Sequence, residues 1–360
     1  MGADRYGLGF YELDNVMDWQ LRRRAARHWW GISIVAVASL MGIGVLGTMA
    51  VGAAPVALSG TDVAQSIRAE TLKDTTSASA PVVNPSAPDN QVAPSDTSVS
   101  WVTTNHPITF DGLSRSYIVL TPGKMTAPQK LPVIVVLHGS DASPQQEVQR
   151  TNFVNITGPA ILVYPAGYEQ SWNAGSCCGG AQAAGVNDVG FITAVLHQVL
   201  SAEPNADPSK VGLIGYSNGA KMALLLACEE PDIFNKVAVY GAVSAASCSN
   251  PGPVSLLESA GTADTELLIG PGGTPPLDNG FQEQSVVQQA DDYLTADGCA
   301  PNEDTATVGL VTLSSWAQCN GGDRVELAVF QGADHDWPAG GSGTPAAGQV
   351  IWGFLASLGL

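Results

Sequence analysis

From residue 101 onward, short apolar segments alternate with longer segments whose apolar residues recur at helical spacing. The segment LPVIVVL, residues 131–137, is apolar without a break, which is typical of a strand covered on both faces of a sheet. The segment 186–203 has the helical spacing, and Asn187 or Asp188 is its candidate N-cap. Further strands are predicted at RSYIVLTP, AILVYPAG, KVGLIGY, KVAVYGAV, VSLLESAG and RVELAVFQG, and further helices at AKMALLLACEE and QVIWGFLASLGL.

Strands that alternate with helices in this way predict an α/β fold, with a mostly parallel central sheet and flanking helices. We assign residues 101–360 to one such domain. The chain has no internal repeat, so a solenoid or propeller is not expected.

The N-terminal part of the chain has a different pattern. A basic tail, residues 1–28, precedes an uncharged apolar segment at 29–58 that is long enough to cross a bilayer. The arginines before the segment keep the tail in the cytoplasm and send the rest of the chain across the membrane. The segment is either a transmembrane helix or a cleaved signal sequence. Both alternatives place the domain outside the cell or at its surface.

Residues 59–100 connect this segment to the domain. They are rich in Ser, Thr, Ala, Pro and Asp and contain no aromatic residue. Such a stretch buries too little apolar surface to order itself, so we predict a flexible, disordered linker.

The charge of the chain restricts its partners. Its net charge is −18, with only 15 Lys and Arg residues. Phosphate binding depends on Lys and Arg, so a nucleic-acid partner is not expected. Polyanionic substrates are disfavoured for the same reason, which leaves neutral polymers and esters.

One motif indicates chemistry. Gly215-Tyr216-Ser217-Asn218-Gly219 has the pattern G-x-S-x-G, and it lies between a predicted strand and a predicted helix. The five-letter pattern also occurs in ordinary strand-to-helix turns, but this context is that of a nucleophile elbow. We therefore predict Ser217 as a nucleophile and the backbone N–H of Asn218 as one donor of an oxyanion hole.

A serine nucleophile needs a base and an orienting acid. In α/β-hydrolases these follow the serine in the order acid, then histidine. His335 is the only histidine after Ser217, and Asp264 follows a predicted strand between them, with Glu266 as the second choice. Ser140, in the LHGS segment, is predicted to supply the second oxyanion N–H.

Several ordered motifs extend this picture. They are VVLHGS, YPAGYEQSWNAGSCCGGA, NDVGF, GYSNGAKMALLLACEEPDIF, GTAD, WAQCNGGDRV and GADHDWPAG. Together they resemble the secreted polyhydroxybutyrate depolymerase and feruloyl esterase group of carbohydrate esterase family 1, over roughly residues 105–357. The resemblance implies an α/β-hydrolase fold and ester hydrolysis by Ser217, Asp264 and His335, without a metal or organic cofactor.

The same resemblance implies that Trp172 and Trp337 lie near the active-site cleft and bind substrate. The chain also departs from the pattern of the group at two positions. Ala260 stands where members usually have histidine, and Ala339 follows Pro338 where members usually have glycine. Neither departure removes a residue of the predicted triad, and both concern the substrate pocket.

The six cysteines are expected to form structural disulfides, because the domain is exported and their number is even. Cys299 and Cys319 flank one strand region and are predicted to pair. Adjacent cysteines rarely bond each other, since the eight-membered ring strains the peptide. Cys177 and Cys178 are therefore predicted to pair, in either order, with Cys228 and Cys248.

The residues together predict an exported serine esterase. Its expected substrates are feruloyl or acetyl esters of polysaccharide, or polyhydroxyalkanoate, presented as a neutral polymer or its oligomers. Two alternatives remain at this point. An acyltransferase of the same fold would pass the acyl group to an alcohol, and a non-catalytic surface domain would keep the fold for binding alone.

Overall fold

A computed structural model of the chain describes residues 99–360, apart from 124, 126–128, 249–250, 271–275, 278 and 302. The predicted tail (1–28) and membrane or signal segment (29–58) lie outside the described residues. So does the predicted linker (59–100), except for its last two residues. Within the described part, no helix is both long and apolar enough to span a bilayer.

The strands form a single sheet whose order is β1-β2-β4-β3-β5-β6-β7-β10-β9-β8. The centre of the sheet, from β4 to β10, is parallel, and both edges are antiparallel. The bounds are β1 Trp101–Phe110, β2 Leu113–Pro122, β3 Leu131–Leu137, β4 Ile161–Pro165, β5 Ala206–Tyr216, β6 Lys236–Tyr240, β7 Ser255–Gly261, β8 Asp304–Val308, β9 Val311–Trp316 and β10 Val325–Phe330.

Six α-helices accompany the sheet in the described residues, together with 3₁₀ turns at Phe153–Asn155 and Asn320–Gly322. The helices are α1 Pro144–Thr151, α2 Gly179–Ala184, α3 Asp188–Ala202, α4 Asn218–Glu229, α5 Val286–Ala296 and α6 Ala347–Ser357. The N-cap of α3 is Asn187, whose side chain accepts a hydrogen bond from the N–H of Gly190.

Strand β3 shows why its sequence is apolar without a break. Val133 and Val135 pack in one hydrophobic cluster with residues of α3 and α4. Ile134 and Val136, on the opposite face, pack in a second cluster with residues of α6. Successive side chains of a strand point to opposite faces, so a strand covered on both faces needs apolar residues at every position.

The prediction of a mixed α/β sheet with flanking helices is confirmed, but β1 was not predicted, and the one strand region expected between Cys299 and Cys319 consists of two strands, β8 and β9. β1 pairs antiparallel with β2, and the β8–β9 hairpin extends the other edge next to β10. Every residue of β8 is exposed, so its sequence lacks the apolar face that marks a strand. Each edge strand pairs with the next strand along the chain, from Phe110 to Leu113 and from Val308 to Val311, so a local turn and not an apolar face defines it.

The cysteine pairing is partly as predicted. Cys299 and Cys319 form a disulfide, but Cys228 bonds Cys248, and the neighbours Cys177 and Cys178 bond each other. The prediction for the neighbours was wrong. The end of α4 lies beside the loop that follows β6, with the Cα atoms of Cys228 and Cys248 5.9 Å apart, within the usual range for a disulfide. That pairing leaves the adjacent cysteines to each other, across a cis peptide bond.

Candidate active site

Three of the predicted site residues lie at the carboxyl ends of strands. Ser217 directly follows β5, Asp264 lies in the loop after β7, and His335 lies in the loop after β10. The carboxyl ends of parallel strands meet at one edge of a sheet, which is where α/β folds hold their sites. The sheet thus brings together side chains that are far apart in the sequence.

The turn at Ser217 is tight and strained. Ser217 has φ 52° and ψ −121°, a backbone conformation that residues other than glycine rarely adopt. A Cβ on Gly215 would collide with the carbonyl oxygen of Gly219, and a Cβ on Gly219 would collide with the carbonyl oxygen of Leu137. Glycine at both positions therefore lets α4 start directly against β5 and β3, as the elbow motif predicted.

A continuous hydrogen-bond chain connects the three side chains. The hydroxyl of Ser217 donates to Nε2 of His335 over 2.9 Å, and Nδ1–H of His335 donates to Oδ2 of Asp264 over 2.8 Å. The Asp264 side chain is fully buried. Its Oδ1 accepts a second hydrogen bond from the backbone N–H of Glu266, at 2.8 Å. Both carboxylate oxygens are thus held in place.

Glu266, the second choice for the acid, occupies a different position. Its Oε2 lies 3.3 Å from Nε2 of His335, the nitrogen that faces Ser217, and its side chain is 65% exposed. An orienting acid must hold the opposite ring nitrogen. The geometry therefore gives that position to Asp264.

The loop that carries His335 is held by two tyrosines at the ends of β5 and β6. The hydroxyl of Tyr216 donates to the carbonyl oxygen of His335 over 3.1 Å. The hydroxyl of Tyr240 donates to the carbonyl oxygen of Asp334 over 3.0 Å. Buried tyrosine hydroxyls usually find such partners, and here they set the height of the imidazole above the sheet.

The pKa of His335 is the result of opposing effects. Burial lowers it, but the hydrogen bond and charge of Asp264, together with the charge of Glu266, outweigh burial and raise the pKa above the ordinary histidine value. The site therefore stabilises the imidazolium form, which a histidine takes up when it removes a proton from a serine hydroxyl.

His138 behaves as a structural residue, in line with its position at the end of a buried strand. It is 1% exposed, and its Nε2 accepts a hydrogen bond from the N–H of Gly167 at 2.9 Å. Burial lowers the pKa of His138 to about 4, so the ring is neutral at physiological pH. Its ring also lies against the Trp172 indole, with the centroids 4.9 Å apart.

A cleft of about 380 Å³ opens over Ser217. Ser140 and Asn218, the predicted oxyanion residues, both line it. The N–H of Asn218 belongs to the first turn of α4, where N–H groups lack partners inside the helix. The Cys177–Cys178 disulfide lines the same cleft, so these two cysteines lie beside Ser217 at the surface of the cleft.

Trp172, which was predicted to bind substrate, does not line the cleft, because its side chain is completely buried. Its backbone N–H donates to Oδ1 of Asn218 at 2.7 Å, and Nδ2 of Asn218 donates back to its carbonyl oxygen at 3.0 Å. Its indole Nε1–H donates to the carbonyl oxygen of His138 at 2.8 Å. Trp172 therefore ties the segment before Ser140 to the residue after Ser217.

Trp337, the other predicted substrate contact, is partly buried in an aromatic cluster. Its ring lies edge-on to Tyr216, with centroids 5.9 Å apart, and packs against Tyr240 and Phe153. It lies outside the lining of the cleft, among the described residues. Its role toward substrate stays a prediction.

Three charged residues of the cleft, Arg150, Lys221 and Glu283, were not predicted. Lys221, one turn after Ser217, pairs with Glu283, and both side chains are mostly buried. Arg150, at the end of α1, lies over the ring of Tyr216, with Cζ 4.4 Å from the ring centroid. Their side chains meet in the cleft only in the folded chain, so no pattern in the sequence indicates this role. Within the described residues no cluster of three or more metal-ligating side chains exists.

Comparisons with known proteins agree with this arrangement. Residues 112–333 match the profile of the family described as "Putative esterase". A curated relative, "Putative esterase NocK" of Nocardia uniformis subsp. tsuyamanensis, is 29% identical over an alignment of 259 residues, and the match covers 66% of this chain and 75% of the relative. Among solved structures, an acetyl xylan esterase from Aspergillus awamori is similar in fold, with a TM-score of 0.50 and 14% identity. That match covers 70% of this chain and 99% of the other.

Proposed function

The chain belongs to the esterase family and is a carboxylic ester hydrolase, and from that premise we propose that it works through an acyl-enzyme on Ser217. The observation that carries the proposal is the hydrogen-bond chain from the Ser217 hydroxyl through His335 to Asp264, at 2.9 and 2.8 Å. These distances are those expected of a nucleophile, a base and an orienting acid.

In the first half of the reaction, Oγ of Ser217 attacks the ester carbonyl while Nε2 of His335 takes its proton. The negative charge of Asp264 stabilises the imidazolium. The N–H groups of Asn218 and Ser140 donate to the oxyanion of the tetrahedral intermediate. The C–O bond of the ester then breaks, and His335 gives its proton to the departing alcohol.

In the second half, water replaces the alcohol. His335 takes a proton from the water, whose oxygen attacks the acyl-enzyme. The second tetrahedral intermediate collapses to release the carboxylic acid and restores the hydroxyl of Ser217. No cofactor takes part in these steps.

Hydrolysis of 4-nitrophenyl acetate by the purified domain, compared with its Ser217→Ala variant, tests the proposal. We expect the variant to lose hydrolysis while it keeps the thermal stability of the parent. Product analysis with added alcohols extends the test, because new esters in place of the free acid would indicate an acyltransferase. A folded parent without esterase activity would instead favour a surface binding domain.

The proposed substrates are feruloyl or acetyl esters of polysaccharide, or polyhydroxyalkanoate. The motifs from LHGS to HDWPAG support this choice, since they resemble the group that acts on such polymers. Methyl ferulate, acetylated xylan and polyhydroxybutyrate form the test panel. Acetylated xylan is the first substrate of the panel to measure, because the solved structure of similar fold is an acetyl xylan esterase. Hydrolysis of none of the three would refute the proposed substrate class.

The proposed location is outside the cell or at its surface. The arginine-rich tail and the uncharged segment at 29–58 support it, as do three disulfides in the domain. N-terminal sequencing of the exported protein distinguishes the two alternatives. A start after residue 50 indicates a cleaved signal, and a start at residue 1 indicates a membrane anchor. Recovery of the protein only from the cytosol would refute export.

A further inference from the structure

Arg150 is a charged residue of the cleft that lacks a fully charged counter-ion. The charged residues that line the cleft, besides His335, are Arg150, Lys221, Glu266 and Glu283. Lys221 pairs with Glu283, and Glu266 lies beside His335. Among the described residues, the guanidinium of Arg150 donates no hydrogen bond and has one carboxylate neighbour, Glu147, at 3.7 Å.

That neighbour is a poor counter-ion. Glu147 is fully buried, and neither of its carboxyl oxygens has a hydrogen-bond partner in the described part of the chain. Burial raises the pKa of Glu147 to about 8, although the charge of Arg150 opposes the rise. The carboxyl is therefore mostly protonated at neutral pH, and most of the charge of Arg150 is left uncompensated.

The remaining neighbour of Arg150 orients it without neutralising it. The guanidinium lies over the ring of Tyr216, with Cζ 4.4 Å from the centroid. Burial raises the pKa of Tyr216 to about 12, so its hydroxyl stays neutral. The stacking leaves the N–H donors at the edge of the guanidinium free to bind a ligand. The Arg150 side chain is 31% exposed.

The position of Arg150 puts these donors within reach of a bound ester. His335 lies against the same Tyr216 ring, with the ring centroids 5.8 Å apart. Tyr216 also immediately precedes Ser217. A substrate whose carbonyl lies at Ser217 would therefore need only a short chain to extend across the ring to Arg150.

We propose that Arg150 binds a carboxylate of the substrate, so that the cleft selects esters with one carboxylate a few bonds from the scissile carbonyl. A guanidinium fork matches a carboxylate in geometry and charge. The inference rests on the proposed function of Ser217, and among the proposed substrates it favours polyhydroxyalkanoate oligomers, which end in a carboxylate, over neutral acetyl and feruloyl esters. The net charge of −18 still disfavours polyanions, but it acts at long range through screening salt, whereas Arg150 acts at contact.

The test compares 4-nitrophenyl hydrogen adipate with its methyl ester, which has the same chain without the charge. We expect the parent to prefer the adipate half-ester. In Arg150→Gln, kcat/KM for the half-ester should fall about 10- to 100-fold more than kcat/KM for the methyl ester, mainly through KM. Arg150→Lys should keep part of the preference, since it keeps the charge and loses the fork.

Arg324→Gln is the matched control. Arg324 is 32% exposed, close to the 31% of Arg150, but it pairs with Glu326 and lies outside the cleft. We expect this variant to keep the selectivity of the parent. Equal losses on both substrates in Arg150→Gln, or unchanged selectivity, would overturn the carboxylate site.

A binding measurement separates this proposal from the proposed chemistry. Calorimetry with monomethyl adipate on Ser217→Ala protein measures the site without turnover. Binding that disappears in the Ser217→Ala, Arg150→Gln double variant supports the site even if the parent hydrolyses neither ester. Binding that is unchanged by Arg150→Gln, or absent at millimolar ligand, refutes it while ester hydrolysis can still stand.

Discussion

The two sides of the cleft are built in different ways. The floor, which consists of Ser217, Asp264 and His335, follows the ends of β5, β7 and β10 in the parallel part of the sheet and is held by hydrogen bonds at each step. The rim, which consists of Arg150 and the Cys177–Cys178 pair, comes from the end of a short helix and from a loop. The floor can therefore keep one geometry for bond breaking, while the rim can change in sequence without disturbing it.

The largest effect should come from the floor, in Asp264→Asn. An amide in place of the carboxylate no longer stabilises the imidazolium and favours the wrong tautomer of His335. We expect kcat to fall by about 10⁴-fold. Hydrolysis of 4-nitrophenyl acetate measures the loss. A variant that keeps more than a tenth of the parental kcat would give the role of orienting acid to another group.

An intermediate effect on kcat is expected for Trp172→Phe, at a residue that belongs to neither the floor nor the rim. The variant loses the Nε1–H donor and leaves the carbonyl oxygen of His138 without this bond. We expect the free energy of unfolding to fall by about 1–3 kcal/mol. kcat should fall about 10- to 100-fold with little change in KM, because Ser140 loses its alignment, whereas the backbone bonds to Asn218 remain.

Denaturant unfolding and hydrolysis of 4-nitrophenyl acetate check the two parts of this prediction. Trp316→Phe, on β9 near the edge of the sheet, is the control and should leave kcat unchanged. If Trp172→Phe lowers stability alone, the indole N–H of Trp172 has no part in positioning Ser140.

The smallest effect is expected for Glu266→Gln. The charge of Glu266 raises the pKa of His335, so its removal lowers that pKa. Only the neutral imidazole can accept the proton of Ser217, so the acid limb of the kcat/KM profile should move to lower pH. Because Glu266 is exposed, 1 M salt should weaken the difference between variant and parent. A shift to higher pH would contradict the electrostatic account of His335.

The sequence predicted the floor better than the rim, for physical reasons. A strained turn against two strands requires Gly215 and Gly219, and apolar runs covered on both faces identify the strands that carry Asp264 and His335. These requirements are local, so they leave a pattern in the sequence. The predicted positions of Ser140 and Asn218 in the cleft follow from the same pattern.

The rim depends on contacts between distant segments. Arg150 lies in the polar helix PQQEVQRT, where nothing local distinguishes it from a solvated arginine. The burial of Trp172 depends on Asn218 and His138, which are 46 and 34 residues away. The pairing of Cys228 with Cys248 likewise depends on the fold bringing the end of α4 beside the loop after β6, and sequence spacing does not contain that information.

The most direct test of the central claim is covalent labelling of the purified domain with a fluorophosphonate, followed by peptide mapping. We predict one adduct per chain, on Ser217, that is absent in Ser217→Ala and much slower to form in His335→Ala. Circular dichroism of each variant confirms that the fold is intact. An adduct on another serine, or no adduct on the folded parent, would contradict the assignment of Ser217 as the nucleophile.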